Sequence, residues 1–297
     1  MVEPSRRTSL ACIIMGKIGV FDSGMGGLNI LQAIRGIMPE YAYCYLGDNA
    51  RVPYGNRSFE TVYQFTRECI YSLLVEDCPL VIMACNTSSA KALRAIQQND
   101  LQRWQSELAP NGPTLKVLGV LRPTTEIAGQ LTHSGHLGLL ATRGTVESDS
   151  YRIEIERFFP QVTLHQQACP LWVPLIEEGR IKGPLTEMAV KECIDTLCNR
   201  APTMDAVILG CTHFPLLTSV IRHHLPPHVQ IIEQGPLVAQ ALQHYLHRHP
   251  DIESSLDQSG TCTYLTTEDP LRFNRNASLF IQASINSQQF HLMIPNP

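Results

Sequence analysis

The amino-acid sequence predicts an α/β protein of two similar domains, each a mainly parallel sheet flanked by helices. Short apolar runs of four or five residues recur along the chain and end in Gly, Asn or Thr. They do not alternate with polar residues, which is typical of strands buried on both faces of a parallel sheet. Longer helical patterns separate these runs, and such alternation favours an α/β architecture. A length of 297 residues suits two ordinary domains.

Eight apolar runs are the candidate strands of the two sheets. Each is bounded by turn-forming residues and is too short to be a typical helix. The candidate strands span residues 18–21, 43–46, 80–84, 117–121, 137–141, 163–165, 206–209 and 229–232. Helical patterns lie between them, for example at residues 60–74, 89–96 and 187–198.

Turn-rich segments divide the chain into two predicted domains with a cleft between them. Pro110-Asn-Gly-Pro113 is the clearest linker, and Pro226-Pro227 and Gly235-Pro236 punctuate the far side of the second block. We expect the active site in the interdomain cleft, because ligands of parallel sheets bind beyond the carboxyl ends of the strands. The predicted divisions are a leader at 1–16, a first domain at 17–112 plus 230–282, a second domain at 113–229 and a C-terminal extension at 283–297.

Composition and charge exclude several classes of protein. Hydrophobic residues make up 44% of the chain and charged residues 17%, which excludes a disordered protein. A formal charge of −4 without a basic block argues against nucleic-acid binding and against polybasic membrane contact. No run of about 18 apolar residues is present to span a membrane. These features favour a cytoplasmic enzyme or binding protein.

The ten cysteines are spread along the chain without any C-x-x-C pair. This spacing gives no zinc ribbon, no thioredoxin motif and no disulfide framework, so we expect no metal site and a reducing compartment. Two of the cysteines occupy matching contexts, since Ala84-Cys-Asn-Thr87 and Gly210-Cys-Thr-His213 each follow an apolar strand.

Cys85 and Cys211 therefore stand at the carboxyl ends of two predicted strands, one in each predicted domain. A thiol beside a helix N-terminus has a lowered pKa and a larger thiolate fraction. The residues alone leave two interpretations open, and one is that both thiols are reactive. The alternative is that each cysteine packs as a small buried residue.

A glycine-rich turn follows the first strand at Asp22-Ser-Gly-Met-Gly-Gly27. It is not a dinucleotide fingerprint, because Asn29 stands where the third glycine would be, and it lacks the lysine of a P-loop. Glycines still allow backbone amides to approach an anion closely. Asp22 at the mouth of this turn could accept a proton or hold an ammonium, or it could serve only as a helix cap.

Several motifs together resemble those of bacterial glutamate racemases, in the aspartate/glutamate racemase superfamily. The resemblance runs from about residue 17 to residue 280 and includes the late segment Tyr264-Leu-Thr-Thr-Glu-Asp-Pro270. One departure is Arg122-Pro-Thr124, where the family commonly has an acidic residue, Pro and Gly. The motifs are Asp22-Ser-Gly-Met-Gly-Gly27, Pro53-Tyr-Gly55, Ala84-Cys-Asn-Thr87, Leu209-Gly-Cys-Thr-His-Phe-Pro-Leu216 and Cys169-Pro-Leu-Trp-Val-Pro-Leu-Ile-Glu177.

The resemblance implies a cofactor-independent interconversion of L- and D-glutamate that supplies D-glutamate for peptidoglycan. It implies that Cys85 takes the α-proton from D-glutamate and that Cys211 takes it from L-glutamate. Asp22 would assist Cys85, while His213, with Glu177 behind it, would assist Cys211. Glutamate is the expected small-molecule partner, and the family gives an expectation of a homodimer. The residues expected to contact the substrate are Asp22, Ser23, Pro53, Tyr54, Gly55, Asn86, Thr87, Thr142, Thr145, Thr212 and His213.

Other functions stay open on the residues alone. A sister enzyme of the superfamily could act on aspartate, although His213 after Gly-Cys-Thr favours glutamate. A non-catalytic module could hold a dicarboxylate, although binding alone needs no thiol. A redox role would need Cys85 and Cys211 within disulfide reach, which a substrate between them would prevent.

Racemisation would use both thiols, because one base on each face of the α-carbon removes and returns the proton.

Overall fold

The computed structural model describes residues 15–281 and 284–295, and it confirms the predicted α/β class. The strands in these residues form two sheets, one of six strands and one of four. Within each sheet the paired strands run parallel, so helical crossovers connect them. The strands are β1 (Ile18–Asp22), β2 (Tyr43–Gly47), β3 (Leu80–Met83), β4 (Lys116–Gly119), β5 (His136–Ala141), β6 (Thr163–Ala168), β7 (Ala206–Gly210), β8 (Gln230–Ile232), β9 (Cys262–Thr266) and β10 (Ser287–Gln289).

The helices fill the connections between these strands. A π-helical turn at Ile96–Asp100 and 3-10 turns at Ala128–Gln130 and Phe214–Leu217 accompany them. The α-helices are α1 (Gly27–Ile37), α2 (Phe59–Val75), α3 (Asn86–Lys91), α4 (Leu93–Ala95), α5 (Leu101–Leu108), α6 (Leu121–Thr125), α7 (Arg143–Glu147), α8 (Ser150–Phe158), α9 (Trp172–Glu177), α10 (Pro184–Arg200), α11 (Thr218–His224), α12 (Gln234–Arg248), α13 (Pro250–Glu253) and α14 (Pro270–Ala277).

The first sheet has the strand order β10-β9-β2-β1-β3-β4. Its central strands β1, β2 and β3 are buried along their whole length, as their uninterrupted apolar runs predict. On one face, Val20 and Tyr45 belong to a core cluster that includes Leu28 of α1. On the other face, Phe21 belongs to a second cluster that includes Trp104 of α5 and residues of α2. Successive residues of β1 therefore serve two cores, since side chains alternate across a strand.

The second sheet has the strand order β6-β5-β7-β8. Ala141 of β5 pairs with Gly210 of β7, so the residues that follow, Thr142 and Cys211, begin at the same level. The core of this sheet is continuous with the α1 face of the first sheet, because both belong to one buried cluster. The two sheets are thus joined by packed apolar side chains as well as by the chain itself.

The predicted domain boundaries differ from the sheets by one strand at each crossing. β4 pairs with β3 in the first sheet, whereas a boundary at residue 113 places it in the second domain. β8 pairs with β7 in the second sheet, whereas a boundary at residue 230 places it in the first domain. The physical reason is that 110–113 is a turn between α5 and β4 within one crossover, and Pro and Gly mark such turns as readily as they mark linkers.

The C-terminal residues also differ from the prediction of a separate extension. β10 lies within 283–297 and pairs with β9, which adds an edge strand to the first sheet. Beyond it, the backbone N–H of Met293 donates to Ser72 Oγ at 2.8 Å. Neither β9 nor β10 is among the candidate strands, and β10 is a short, polar segment without a hydrophobic pattern. Of the predicted leader, residues 1–14 lie outside the described residues, and Gly16 bridges to Leu256.

Candidate active site

A small cavity of about 20 Å³ lies beyond the carboxyl ends of the central strands and receives residues from both sheets. Cys85 follows β3 of the first sheet and Cys211 follows β7 of the second, and both line it. The two cysteines are 5% and 6% exposed, so both side chains are almost inaccessible to solvent. Its lining residues are Ser23, Val52, Pro53, Tyr54, Gly55, Cys85, Asn86, Thr87, Thr142, Val173, Cys211, Thr212 and His213.

Cys85 directly precedes α3 in the connection from β3, and its backbone is extended. Its thiol donates to Ser23 Oγ at 3.3 Å, which fixes the sulfur against the glycine-rich turn. Burial raises the pKa of the Cys85 thiol, and the negative charge of Asp22 raises it further, while the Ser23 hydroxyl opposes both. The neutral thiol is therefore favoured, because burial and Asp22 together outweigh the hydrogen bonds that stabilise the thiolate.

Cys211 has a different neighbour. His213, two residues further on, is 2% exposed, and its Nε2 lies 2.5 Å from Glu177 Oε1 at the end of α9. Burial alone would lower the pKa of His213, but hydrogen bonding to Cys211 and to Glu177 outweighs it and raises the pKa well above the usual value. Glu177 thus favours the charged form of an imidazole that lies two residues from the second thiol.

Asp22 links the two halves of the cavity wall from behind. It is fully buried, and its carboxylate accepts the backbone N–H of Gly24 at 2.9 Å and the Thr212 hydroxyl at 3.2 Å. Burial raises the pKa of Asp22, while the positive charge of His213 and the donated hydrogen bonds oppose the rise. Asp22 does not line the cavity itself and reaches it only through neighbours such as Thr212.

Glycine is required in the turn after β1 because the second sheet approaches it closely. A Cβ on Gly26 would lie 2.4 Å from Thr212 Oγ1 and 2.6 Å from His213 Nδ1, and both atoms belong to the wall that carries Cys211. Gly55 has the same role at the opposite wall, where a Cβ would lie 2.7 Å from Thr142 Cβ. The glycines of both motifs therefore allow the two halves to close on each other.

Three threonine hydroxyls meet at one end of the cavity. Thr87 Oγ1 of α3 lies 2.9 Å from Thr142 Oγ1, which in turn lies 3.1 Å from Thr145 Oγ1. Thr142 also caps α7 by accepting the backbone N–H of Thr145. The hydroxyls come from both sheets and can each donate one proton, which suits an anionic oxygen. None of the residues that line the cavity is lysine or arginine.

Tyr54 lines the cavity, but its hydroxyl is already engaged. It donates to the buried carboxylate of Asp48, which also accepts from Arg51 Nε at 2.6 Å and from Thr267 Oγ1 at 2.8 Å. The phenol therefore anchors the segment 53–55 through Asp48 and offers the cavity its ring and backbone. Asp48 holds the loop in place from behind the cavity.

The structure thus brings most of the predicted site residues together around one cavity. Asp22, Glu177 and Thr145 stand one contact behind the wall, through Thr212, His213 and Thr142 respectively. Sequence reasoning missed the apolar lining residues Val52 and Val173. It also missed Tyr151, which donates to Asn86, and Gln234, which donates to Tyr151. Val173 lies within the quoted motif at 169–177 but carries no polar group that would single it out, and no quoted motif contains the other three, so their contacts reveal them.

Within residues 15–281 and 284–295, no three His, Cys, Asp or Glu side chains converge in a metal-binding arrangement. Among the helices that the structure describes, none combines the length and apolar character needed to cross a membrane.

Comparison with known proteins agrees with the motifs. The family model described as Asp/Glu/Hydantoin racemase matches residues 28–242. The chain belongs to this racemase family. A glutamate racemase of Persephonella marina is 36% identical over 278 residues, which cover 93% of this chain and 97% of that protein. The predicted class of enzyme, a racemase, is thereby confirmed.

Solved racemase structures share the whole architecture. The crystal structure of glutamate racemase from Francisella tularensis in complex with D-glutamate is 28% identical, with a TM-score of 0.79. The match covers 94% of this chain and 97% of that one. Glutamate racemase isoform RacE1 from Bacillus anthracis is 29% identical, with a TM-score of 0.81 over 94% of this chain and 98% of that one. The motifs indicated a resemblance to glutamate racemases, and the comparisons confirm it along nearly the full chain.

Proposed function

We propose that this racemase interconverts L- and D-glutamate by a two-base mechanism with Cys85 and Cys211 as the bases. The observation that carries the proposal is that two thiols, one from each sheet, line a single buried cavity. Racemisation needs a base on each face of the α-carbon, because the proton leaves from one face and returns to the other. Two strand-end cysteines from opposite sheets supply such a pair.

The proton transfers balance without any other reactant. In the L-to-D direction the Cys211 thiolate removes the α-proton, and the electron pair of the C–H bond stays on carbon. The Cys85 thiol then gives its proton to the opposite face, so Cys211 ends as thiol and Cys85 as thiolate. The raised pKa of Cys85 favours the protonated state that this direction requires. The D-to-L direction uses the reverse protonation states.

The neighbours of the two cysteines support these roles. Cys211 and Glu177 both raise the pKa of His213, which favours a charged imidazole beside the second thiol. Asp22 carries its charge near Cys85 and is braced by Thr212. Each thiol therefore has a titratable group beside it that can follow its change of charge during turnover.

Substrate recognition would rest on neutral donors. The hydroxyls of Thr87 and Thr142, with Thr145 behind them, can bind one carboxylate, and the Asn86 amide and Ser23 hydroxyl can bind groups near Cys85. Fixed donors in a small, buried cavity also stabilise the negative charge that develops at the α-carbon and its carboxylate. A cavity of about 20 Å³ holds about one water molecule, so glutamate enters only when the two halves separate.

Glutamate is favoured over aspartate as the substrate by two observations. His213 follows Gly-Cys-Thr, the residue that the motifs of glutamate racemases carry. The similar Francisella tularensis enzyme was crystallised in complex with D-glutamate. By family resemblance, the D-glutamate would serve peptidoglycan synthesis in the cytoplasm.

The test is incubation of the purified protein with L-glutamate in D₂O without added cofactor, followed by optical rotation and α-deuterium analysis. We expect D-glutamate to form, and we expect early product to carry deuterium while the remaining L-glutamate keeps its α-hydrogen. This pattern follows because a second, solvent-equilibrated base supplies the new proton. Absence of both exchange and D-glutamate would refute the proposal, and activity on aspartate alone would change the substrate.

A further inference from the structure

The carboxamide of Asn86 is held at only one end. Asn86 is 2% exposed and lines the cavity next to Cys85. Its Oδ1 accepts a hydrogen bond of 2.7 Å from the Tyr151 hydroxyl. Its Nδ2 is buried without a hydrogen-bond partner among residues 15–281 and 284–295. A buried N–H group without a partner is unfavourable, so a ligand oxygen at this point of the cavity would satisfy it.

Hydrogen bonds run in a row from the Val120 carbonyl through Gln234 and Tyr151 to Asn86. The backbone carbonyl sets the direction of the first of them. The oxygen of Val120 can only accept, so the Gln234 atom 3.1 Å from it is the amide nitrogen. The same nitrogen donates to the Tyr151 hydroxyl at 2.8 Å, which leaves the hydroxyl's own proton for Asn86. The Asn86 atom that faces Tyr151 is Oδ1, which accepts this proton. As a result, Nδ2 turns away from Tyr151.

The row also ties together the two places where the chain crosses between the sheets. Gln234 is the first residue of α12, at the return from the second sheet. Its side chain also contacts Thr124 Oγ1 at 3.1 Å, and Val120 and Thr124 lie at the outward crossing after β4. Tyr151 belongs to α8 of the second half and Asn86 to α3 of the first. The orientation of Asn86 therefore depends on contacts that span both halves.

We propose that Tyr151, held by Gln234, is a positioning residue that turns the Asn86 amide nitrogen toward a carboxylate oxygen of the substrate beside Cys85. The inference deepens the proposed function and rests on it. Without the Tyr151 hydroxyl, the carboxamide can rotate and present its oxygen to the carboxylate, which is repulsive. A donor that is fixed before substrate arrives avoids this loss.

The test is a double-mutant cycle between Tyr151→Phe and Asn86→Ala. Tyr151→Phe keeps the ring and removes only the hydroxyl, and we expect kcat/KM for glutamate to fall about tenfold, with KM rising more than kcat falls. In the Asn86→Ala background the same substitution should change kcat/KM by less than about twofold, because no amide is left to orient. Gln234→Met should show the same dependence on Asn86.

A matched control is Tyr43→Phe. Tyr43 is also fully buried, and its hydroxyl donates to Met38 O at 2.6 Å, outside the cavity lining. We expect this variant to keep the wild-type kcat/KM. An unchanged kcat/KM in both Tyr151→Phe and Gln234→Met would overturn the proposal. Equal losses with and without Asn86 would overturn it too, because they would mean that the hydroxyl acts on the fold alone.

Failure of the proposed function gives a different result. If the wild-type protein racemises aspartate and not glutamate, the substrate assignment is wrong, and the same double-mutant cycle is measured with aspartate. If the wild-type protein binds D-glutamate without exchange, racemisation falls and the cycle is measured as Kd by calorimetry. In each case the coupling between Tyr151 and Asn86 still decides the role of Tyr151.

Discussion

Thr212 donates its hydroxyl to the buried carboxylate of Asp22 at 3.2 Å, across 190 residues of sequence. Asp22 ends the first strand of the first sheet. Thr212 directly follows Cys211, beyond the carboxyl end of β7 in the second sheet. One hydrogen bond therefore connects the group beside one proposed base to the backbone that carries the other. The bond also offsets part of the unfavourable burial of the carboxylate.

Thr212→Val removes this hydroxyl and keeps the shape of the side chain. We expect the free energy of unfolding to fall by about 1–2 kcal/mol and kcat/KM to fall about tenfold, because a buried carboxylate loses a donor. Urea denaturation and glutamate kinetics measure the two effects. Thr66→Val is the matched control, since the Thr66 hydroxyl is buried without a partner in the described structure. A Thr212→Val protein as active and stable as the control would contradict the role of this bond.

Cys85→Ser and Cys211→Ser should each lower kcat by at least about 10³-fold, since a serine hydroxyl is a far weaker acid and base pair than a thiol. Both directions should fail together, because each direction uses both groups. Cys198→Ser in α10 is the control, as Cys198 is partly exposed and does not line the cavity. Near-normal turnover by either active-site variant would remove that cysteine from the mechanism.

Glu177→Gln should move the alkaline limb of the pH profile to lower pH. The carboxylate raises the pKa of His213, so its removal lets the imidazole lose its proton, and its hydrogen-bond donation to Cys211, earlier in the titration. The measurement is kcat/KM from about pH 6 to about pH 9. Glu178→Gln, at the exposed neighbouring position, should keep the wild-type profile. Identical profiles for the two variants would argue against the role of Glu177.

The same pair should also affect stability. The folded pKa of His213 lies above its unfolded value of about 6.5. Its contribution to the free energy of unfolding is therefore complete below that pH and is lost as pH rises through the folded pKa. The free energy of unfolding should differ between wild type and Glu177→Gln, and this difference should shrink toward alkaline pH. Urea denaturation at several pH values measures it. A difference that is constant or grows with pH would contradict the assignment.

Asp22→Asn should make Cys85 more reactive toward iodoacetamide. Burial and the charge of Asp22 both raise the pKa of Cys85, and the substitution removes the second cause. The thiolate fraction at about pH 8 should rise, and alkylation of the peptide with Cys85 should become several-fold faster. Mass spectrometry of the alkylated peptides measures it, with Cys198 in the same sample as an internal reference. Unchanged or slower alkylation of Cys85 would show that Asp22 does not hold its proton in place.

The sequence predicted the parts of the site that lie next to strand ends. Cys85, Cys211 and Asp22 each follow a buried apolar run, and the carboxyl ends of such runs meet at one edge of a sheet. Tyr151 and Gln234 could not be found in this way, because their partners are 65 and 83 residues away in sequence. The engaged hydroxyl of Tyr54 was missed for another reason, because Asp48 is only six residues away but no short pattern shows that their side chains meet.

The sequence by itself determined the α/β class, the eight apolar strands and the two thiols at strand ends, because hydrophobic periodicity and turn residues act over a few neighbouring residues. The tertiary structure alone decided which sheet each strand joins, as β4 and β8 illustrate, because pairing depends on long-range burial that no local pattern encodes. It also decided the protonation of the site. The proton on Cys85 and the charge on His213 depend on burial and on partners such as Asp22 and Glu177, which only folding brings within reach.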